Sequence, residues 1–313
     1  MILLKRVFWV AAFLFFLSNA AGAREREIRI AMWKLPLNLP AMVATEEKTY
    51  EKAFRGNYII RYIDLPSGPK QVQAMAAGEL DIAEGLGAAA AIVGIANGAE
   101  ITIIGANSRS PEAFAVVVKN KGIRDISELK GKKVAGLRGS VVHQLFLELL
   151  HKKGLSEKDV EFYPMTLSTA SSSLIAGRVD AALLAGTEIL RAEKGGCRIL
   201  SDGRGYLAGL SLIVARRAFA DENRQLVGKF LQEREKIRIK AASSLGDHMP
   251  LLKRETGLSE NEIINMLSKY DYYTGIRKKD VEELQKTAEY LKKENIIKYI
   301  PNITDMLWKE PSL

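Results

Sequence analysis

In the first third of the chain, the apolar residues switch between the spacing of strands and the spacing of helices. Residues 28–32 alternate apolar and polar side chains ahead of two prolines, and residues 58–65 form a second run of strand character. Between residues 67 and 78 the apolar side chains recur at helical spacing, and Gly78 is placed to end that helix. Strand character resumes at residues 81–83. The pattern predicts two strands, a helix and a third strand.

The same kind of pattern recurs in the middle of the chain. It predicts strands at 134–135, 160–163 and 180–184, with helices at 140–153 and 168–176. Strands that alternate with helices of about ten residues need crossover connections, which favour parallel pairing. We therefore expect an α/β chain with two similar lobes, each built on a mixed, mostly parallel sheet.

Two further apolar strands, at 113–118 and 211–215, stand at the entry to and the exit from the second repeat. Their spacing predicts two crossing segments that act as a two-strand hinge, with the first lobe completed by the C-terminal sequence. That sequence is helical in pattern, and Ser259 with Glu262 forms a capping box. The predicted division is 24–115 plus 216–313 for the first lobe and 116–215 for the second.

The N-terminus has the pattern of a secretory signal peptide. Lys5 and Arg6 precede an apolar run over residues 7–17, and the small residues before Arg24 predict cleavage after Ala23. The run is shorter than the roughly 20 residues that span a bilayer. No cysteine lies near the cleavage site to carry a lipid anchor. We expect a periplasmic protein, with extracellular release as the second possibility.

Composition narrows the function further. The formal charge of +9 falls to +7 when Lys5 and Arg6 leave with the acid-free signal peptide. Basic and acidic residues are interspersed along the helices, so we expect no nucleic-acid partner. One cysteine and three scattered histidines give neither a disulfide framework nor a zinc-ligand spacing. No nucleophile elbow, Walker loop or dinucleotide fingerprint is present, so we expect neither a cofactor nor catalysis.

Ligands of open α/β sheets bind beyond the carboxyl ends of the strands, where helix N-termini offer free backbone N–H groups. The loops expected at that edge are 34–39, 84–88 and 107–110 in the first lobe, and 139–143, 166–169 and 185–188 in the second. The predicted ligand contacts are Leu35, Asn38, Glu84, Gly85 and Arg109 from the first lobe, and Gly139, Ser140, Val141, His143, Thr187 and Glu188 from the second.

Several of these residues have a second interpretation. Ser140 can bind a ligand or serve only as a helix cap, and His143 can be a contact or a packed histidine. Glu188 can face the ligand or only favour the helix dipole from the first turn. The Glu84 carboxylate can bind an amine or a hydroxyl, or pair with Arg109 across the cleft. Otherwise both Glu84 and Arg109 would be exposed to solvent.

Four segments carry a family resemblance: LPSGP at 65–69, AGELDI at 77–82, ISELKGKKVA at 126–135 and GSVVH at 139–143. They resemble the sulfonate/nitrate/taurine-binding family of ABC-transporter solute-binding proteins, from about residue 28 to residue 217. The resemblance implies a type II periplasmic-binding-protein fold, a solute held between lobes that close on it, and docking to an ABC permease. It also implies no catalytic residues. We expect the protein to be a monomer.

Two departures from that family concern the solute. Sulfonate binders usually have a hydroxyl residue and Gly where this chain has Glu84 and Gly85, and often Trp-Asp-Pro where this chain has residues 185–187. Because a carboxylate facing a sulfonate would repel it, an amine-bearing or larger solute is favoured over a simple alkanesulfonate. The backbone N–H groups at Ser140 could still hold an acidic group.

Two other functions remain open. One is a ligand-binding sensor or accessory protein that contacts a membrane receptor instead of a permease. The other is an enzyme that resembles the thiamine-pyrimidine synthases on the same fold, whose Cys-rich and His-rich site this composition does not furnish.

Overall fold

A computed structural model of the chain describes residues 26–34, 38–65, 67–119 and 121–309. The predicted signal peptide with its cleavage site after Ala23, and the predicted contact Leu35, lie outside these described residues.

The first part of the described chain alternates strands with helices, as its apolar pattern predicts. Its elements are β1 (Arg26–Met32), α1 (Leu39–Glu46), α2 (Thr49–Ala53), β2 (Tyr58–Ile63), α3 (Gly68–Ala76), β3 (Ile82–Gly87), α4 (Ala88–Ala96) and β4 (Ile101–Arg109). Gly78 follows α3 with a φ of +73°, the left-handed conformation that ends a helix at little cost for glycine.

The middle of the chain repeats this alternation, so the predicted internal repeat is confirmed at the level of its elements. They are β5 (Phe114–Val118), β6 (Lys133–Gly136), α5 (Val141–Lys152), β7 (Glu161–Pro164), α6 (Leu167–Ile175), β8 (Ala181–Ala185), α7 (Thr187–Lys194) and β9 (Arg198–Asp202).

The last part contributes one strand and then helices. Its elements are β10 (Leu210–Arg216), α8 (Arg217–Glu222), α9 (Arg224–Ser243), α10 (Leu245–Thr256), α11 (Glu260–Leu267), α12 (Lys278–Lys293) and α13 (Ile303–Met306). The predicted capping box is present at the start of α11, where Ser259 and Glu262 bond to each other's backbone groups.

Two mixed sheets form, as expected. The first has the order β2-β1-β3-β10-β4 and the second the order β7-β6-β8-β5-β9. In each, one strand runs against its two neighbours: β10 against β3 and β4, and β5 against β8 and β9. Apolar clusters cover both faces of each sheet, with α5 on one face of the second sheet and α6 and α7 on the other.

The chain crosses between the sheets through residues 110–113 and 203–209. This placement differs from the predicted division at both crossings. Phe114 pairs with Ala185 in the second sheet, and β10 is hydrogen-bonded between strands of the first sheet. Apolar residues occur in the strands on both sides of each crossing, so the hydrophobic pattern does not reveal to which sheet a flanking strand belongs.

Within the described ranges, none of the helices combines the length and the apolar character that a membrane crossing requires.

Candidate ligand-binding cleft

The carboxyl edges of the two sheets meet at the crossing segments. Gly87, the last residue of β3, pairs with Ser211, the second residue after one crossing. Ala185, the last residue of β8, pairs with Phe114, which directly follows the other. The helices that begin after β3 and β8 therefore start on opposite sides of the crossings. The region between these helix starts is the candidate cleft.

On the first-lobe side, α1, α3 and α4 begin after the carboxyl ends of β1, β2 and β3. None of the three has a side-chain capping hydrogen bond from its N-cap residue; these residues are Asn38 for α1, Ser67 for α3 and Gly87 for α4. The first-turn N–H groups of such helices carry positive partial charge and favour negatively charged atoms. Proline in the first turn, Pro40 in α1 and Pro69 in α3, removes one of these donors from each of the two helices.

Asn38 is used for something other than capping. Its side chain is fully buried, and its Nδ2 donates to the carbonyl oxygens of Trp33 at 2.9 Å and Glu84 at 3.3 Å. Its Oδ1 accepts from Asn107 Nδ2 at 2.5 Å. Gly85, at φ +104°, lies so close that a Cβ there would be 2.8 Å from Asn38 Oδ1. The structure thus brings together the predicted contacts Asn38 and Gly85, and adds Asn107.

Glu84 is not at the mouth of the cleft, so the premise of its predicted amine-binding role is wrong. Its side chain is fully buried, with Oε2 accepting from Arg234 Nε at 2.9 Å and Oε1 accepting from the Tyr50 hydroxyl at 3.2 Å. Burial raises the pKa of Glu84, while the Arg234 guanidinium opposes that rise. The carboxylate is buried against a countercharge that α9 supplies.

The predicted pairing of Glu84 with Arg109 is also wrong, as is the alternative that both are exposed. Arg109 binds the Asp280 carboxylate through Nε at 2.7 Å and Nη2 at 2.5 Å. It also donates to the carbonyl oxygens of Tyr273 and Gly275, each at 2.7 Å. It ties β4 to the C-terminal segment beside the hinge.

Ser140 is the N-cap of α5, so the capping interpretation describes its side chain. Its Oγ accepts from His143 N at 3.4 Å and donates to Leu137 O at 2.6 Å. Gly139 has a φ of +74°, and Val141 is half-buried against the first lobe's apolar cluster.

His143 is a packed residue, and its predicted role as a ligand contact is contradicted. Its side chain is buried, and its ring nitrogens lie 2.6 Å from the Tyr290 hydroxyl and 2.5 Å from Glu157 Oε2. Burial lowers the pKa of His143, and Glu157 works in the opposite direction. Because Tyr290 belongs to α12 on the first lobe, His143 joins the lobes instead.

Thr187 and Glu188 are half-buried at the start of α7. Glu188 lies 3.4 Å from Arg191 of the same helix, which is consistent with a first-turn acid that favours the helix dipole. At the other end of α7, Lys194 lies 2.6 Å from Glu262 of α11. The lobes are therefore in contact on both faces of the second sheet, at α5 and at α7.

Sequence reasoning missed Arg234 and Asp280, the two buried partners supplied by the C-terminal helices. The one signal for Arg234 is its position on the apolar stripe of α9, between the buried Phe230 and Ile237. A charged residue on such a stripe indicates a buried countercharge, but it does not say which one.

The chain's one cysteine, Cys197, is buried among apolar residues behind the second sheet, where burial raises the pKa of its thiol. Among the residues that the structure describes, no group of three His, Cys, Asp or Glu side chains is placed to hold a metal ion.

A family model described as NMT1/THI5 like matches residues 62–236. A putative aliphatic sulfonates-binding protein of Escherichia coli K12 is 29% identical over 215 residues, which cover 68% of this chain and 65% of that protein. One of Bacillus subtilis 168 is 27% identical over 281 residues, covering 87% and 84%.

Solved structures share the fold. The periplasmic aliphatic sulphonate binding protein of Escherichia coli superposes with a TM-score of 0.83 at 24% identity, over 92% of this chain and 94% of that chain. A desulfurization enzyme superposes with a TM-score of 0.71 at 13% identity, over 91% and 97%. Likeness of fold therefore extends to binding proteins and to an enzyme alike.

Proposed function

The chain belongs to the NMT1/THI5-like family, and from that premise we propose that it is a solute-binding protein whose cleft captures a small organic molecule with an acidic head group, most simply a sulfonate. The observation that carries the proposal is the set of α1, α3 and α4, whose N-termini lie uncapped by side chains at one edge of the first sheet. The names of the Escherichia coli and Bacillus subtilis relatives support the sulfonate.

The expected objection to an anionic solute was the carboxylate of Glu84. With Arg234 Nε 2.9 Å away and both side chains buried, the pair presents no net charge to the cleft. The partial positive charge of the helix N-termini is then unopposed, so an anionic head group is favoured over an amine.

Binding would act through closure of the lobes. Moving a two-state equilibrium from 1:99 to 99:1 needs about 5.5 kcal/mol of differential affinity. A hydrogen bond to a charged group contributes about 1.5–3 kcal/mol, so roughly two to four bonds made only in the closed state suffice. First-turn N–H groups of both lobes could supply that number, with the solute bridging α4 and α7.

We assign the protein to uptake, as a periplasmic monomer that delivers its solute to an ABC permease after the signal peptide is removed at Ala23. A receptor-coupled sensor would use the same cleft and differ only in its membrane partner. The thiamine-pyrimidine synthase alternative has less support, because the one cysteine lies behind the second sheet and not in the cleft.

The test is a thermal-shift and calorimetric screen of residues 24–313, after denaturation and refolding to strip any bound solute. Hexanesulfonate and hexylamine form a matched pair that differs in head-group charge. A ligand at 100 times its Kd stabilises the folded state by about 2.7 kcal/mol, which predicts a rise in melting temperature of about 5 °C or more for hexanesulfonate. A rise with hexylamine alone would overturn the acidic head group, and no rise with any alkanesulfonate, taurine or nitrate would remove the sulfonate proposal.

A further inference from the structure

An ion pair lies directly under the first-lobe side of the cleft. The side chain of Glu84, on β3, is 1% exposed, and that of Arg234, on α9, is 0% exposed. Burying two charges costs several kcal/mol for each ion, and apolar residues of similar volume often give equal or greater stability. Stability alone is therefore a weak reason for this pair.

Arg234 connects three separate segments of the first lobe. Besides Glu84, its Nη2 donates to the carbonyl oxygen of Asn107 at 3.0 Å and to Asn107 Oδ1 at 2.8 Å, on β4. Its Nη1 donates to Thr274 Oγ1 at 3.3 Å, in the segment that extends the sheet beyond β4. The Tyr50 hydroxyl completes the cluster from α2 by donating to Glu84.

The hydrogen-bond network continues from Asn107 to the N-terminus of α1. Asn107 Nδ2 donates to Asn38 Oδ1, and Asn38 Nδ2 donates in turn to the carbonyl oxygen of Glu84. Asn38 is the N-cap residue of α1, and its amide packs against the turn at Gly85. Because its side chain is held by this network, it makes no capping bond to the first-turn N–H groups of α1.

We infer that Glu84 and Arg234 are positioning residues, which hold Asn38 and the turn at Gly85 so that the N-termini of α1 and α4 face the solute. This inference rests on the proposed function and deepens it. Neither side chain touches the solute; each acts through Asn38 and Asn107.

A second buried carboxylate supplies a matched control. Asp81 directly precedes β3, at the opposite edge of the same sheet, and is 2% exposed. It binds Arg29 at 2.9 Å and Arg216 at 3.1 Å. Asp81→Asn and Glu84→Gln thus remove the same kind of charge from two positions three residues apart in the chain, and of the two only Glu84 shares the hydrogen-bond network of Asn38 and Asn107.

The experiment measures the Kd of hexanesulfonate by titration calorimetry and the melting temperature without ligand, for the wild type, Glu84→Gln, Arg234→Lys and Asp81→Asn. Glu84→Gln and Arg234→Lys should weaken binding by about tenfold, the size of one lost hydrogen bond to a charged group. Asp81→Asn should lower the melting temperature but change the Kd by less than about twofold. Amide exchange at residues 38–46 should rise in Glu84→Gln and stay unchanged in Asp81→Asn.

Equal loss of affinity in Glu84→Gln and Asp81→Asn would show that both act only through stability, and would overturn the inference. So would a Glu84→Gln protein that binds as the wild type does. If Arg234→Lys does not fold, Glu84→Gln and its amide exchange decide the question. A wild type that binds no alkanesulfonate would remove the proposed function and this inference together, which separates that failure from the others.

Discussion

Gly209→Ala tests how closely the two crossing segments must approach. Gly209 has a φ of +62°, and a Cβ there would lie 2.3 Å from the carbonyl oxygen of Ser110 and 2.5 Å from its carbon. The two segments are also joined at this point by a hydrogen bond from Ser110 N to Gly209 O of 3.2 Å. An alanine therefore cannot fit unless the crossings move apart.

The expected cost has two parts. A left-handed conformation costs a non-glycine residue roughly 1–2 kcal/mol. Separating two packed backbones adds about 1–3 kcal/mol, the usual range for an inserted methyl group that the structure must accommodate. Gly205→Ala is the matched control, because Gly205 lies in the same crossing with a φ of +79° and has nothing within 4 Å of its Cβ position. It should show the first cost alone.

Thermal unfolding followed by circular dichroism measures the difference. In proteins of 150–250 residues one kcal/mol corresponds to about 2–4 °C, so Gly209→Ala should melt at least about 2 °C below Gly205→Ala. The Kd for hexanesulfonate should rise only in Gly209→Ala, since displaced crossings change the closing of the lobes. Equal melting temperatures in the two variants would refute the view that the contact between Gly209 and Ser110 sets the hinge.

Two further predictions concern the contacts between the lobes. Lys194→Met removes the ion pair with Glu262 and should weaken solute binding a few-fold at low salt and less at high salt. Lys236→Met, which removes a similarly exposed ion pair within α9, should leave the Kd unchanged. An unchanged Kd in Lys194→Met would contradict a role of the Lys194–Glu262 pair in closure of the lobes. Burial holds the pKa of His143 below its ordinary value of 6.5, so the unfolded chain binds more protons between the two values and stability should fall as the pH drops below about 6.5. The melting temperature of His143→Gln should therefore fall less between pH 8 and pH 5 than that of the wild type. Parallel curves for the two proteins would exclude His143 as a source of this pH dependence.

Much of the fold could be predicted because its signals are local. The spacing of apolar residues places β1, α3 and β3 within a few residues of their observed ends, and Gly78 ends α3 through its own backbone freedom. The boundaries between the lobes could not be placed in this way. Which sheet β10 joins depends on its pairing with β3 and β4, residues more than 100 positions earlier in the chain.

For the candidate site too, some features could be predicted from the sequence and others could not. Its location at the carboxyl ends of the strands follows from topology, and Asn38 and Gly85 do meet there. The partners of the charged residues do not follow, because Arg234 is 150 residues from Glu84 and Asp280 is 171 residues from Arg109. Sequence pattern shows that a charge is present but not where its countercharge lies.

The position of that countercharge decides the chemistry of the cleft. An acid on a buried strand can serve a ligand or the fold. A free carboxylate selects an amine, and a carboxylate paired with a buried arginine does not. The Glu84 carboxylate lies 2.9 Å from the Arg234 guanidinium, and both side chains are buried. In the proposed function, what then acts on the solute is backbone, the first-turn N–H groups of α1, α3 and α4, which favour negative charge. Residue type alone favoured an amine-bearing or larger solute, and the geometry of one buried arginine removes the reason for preferring the amine.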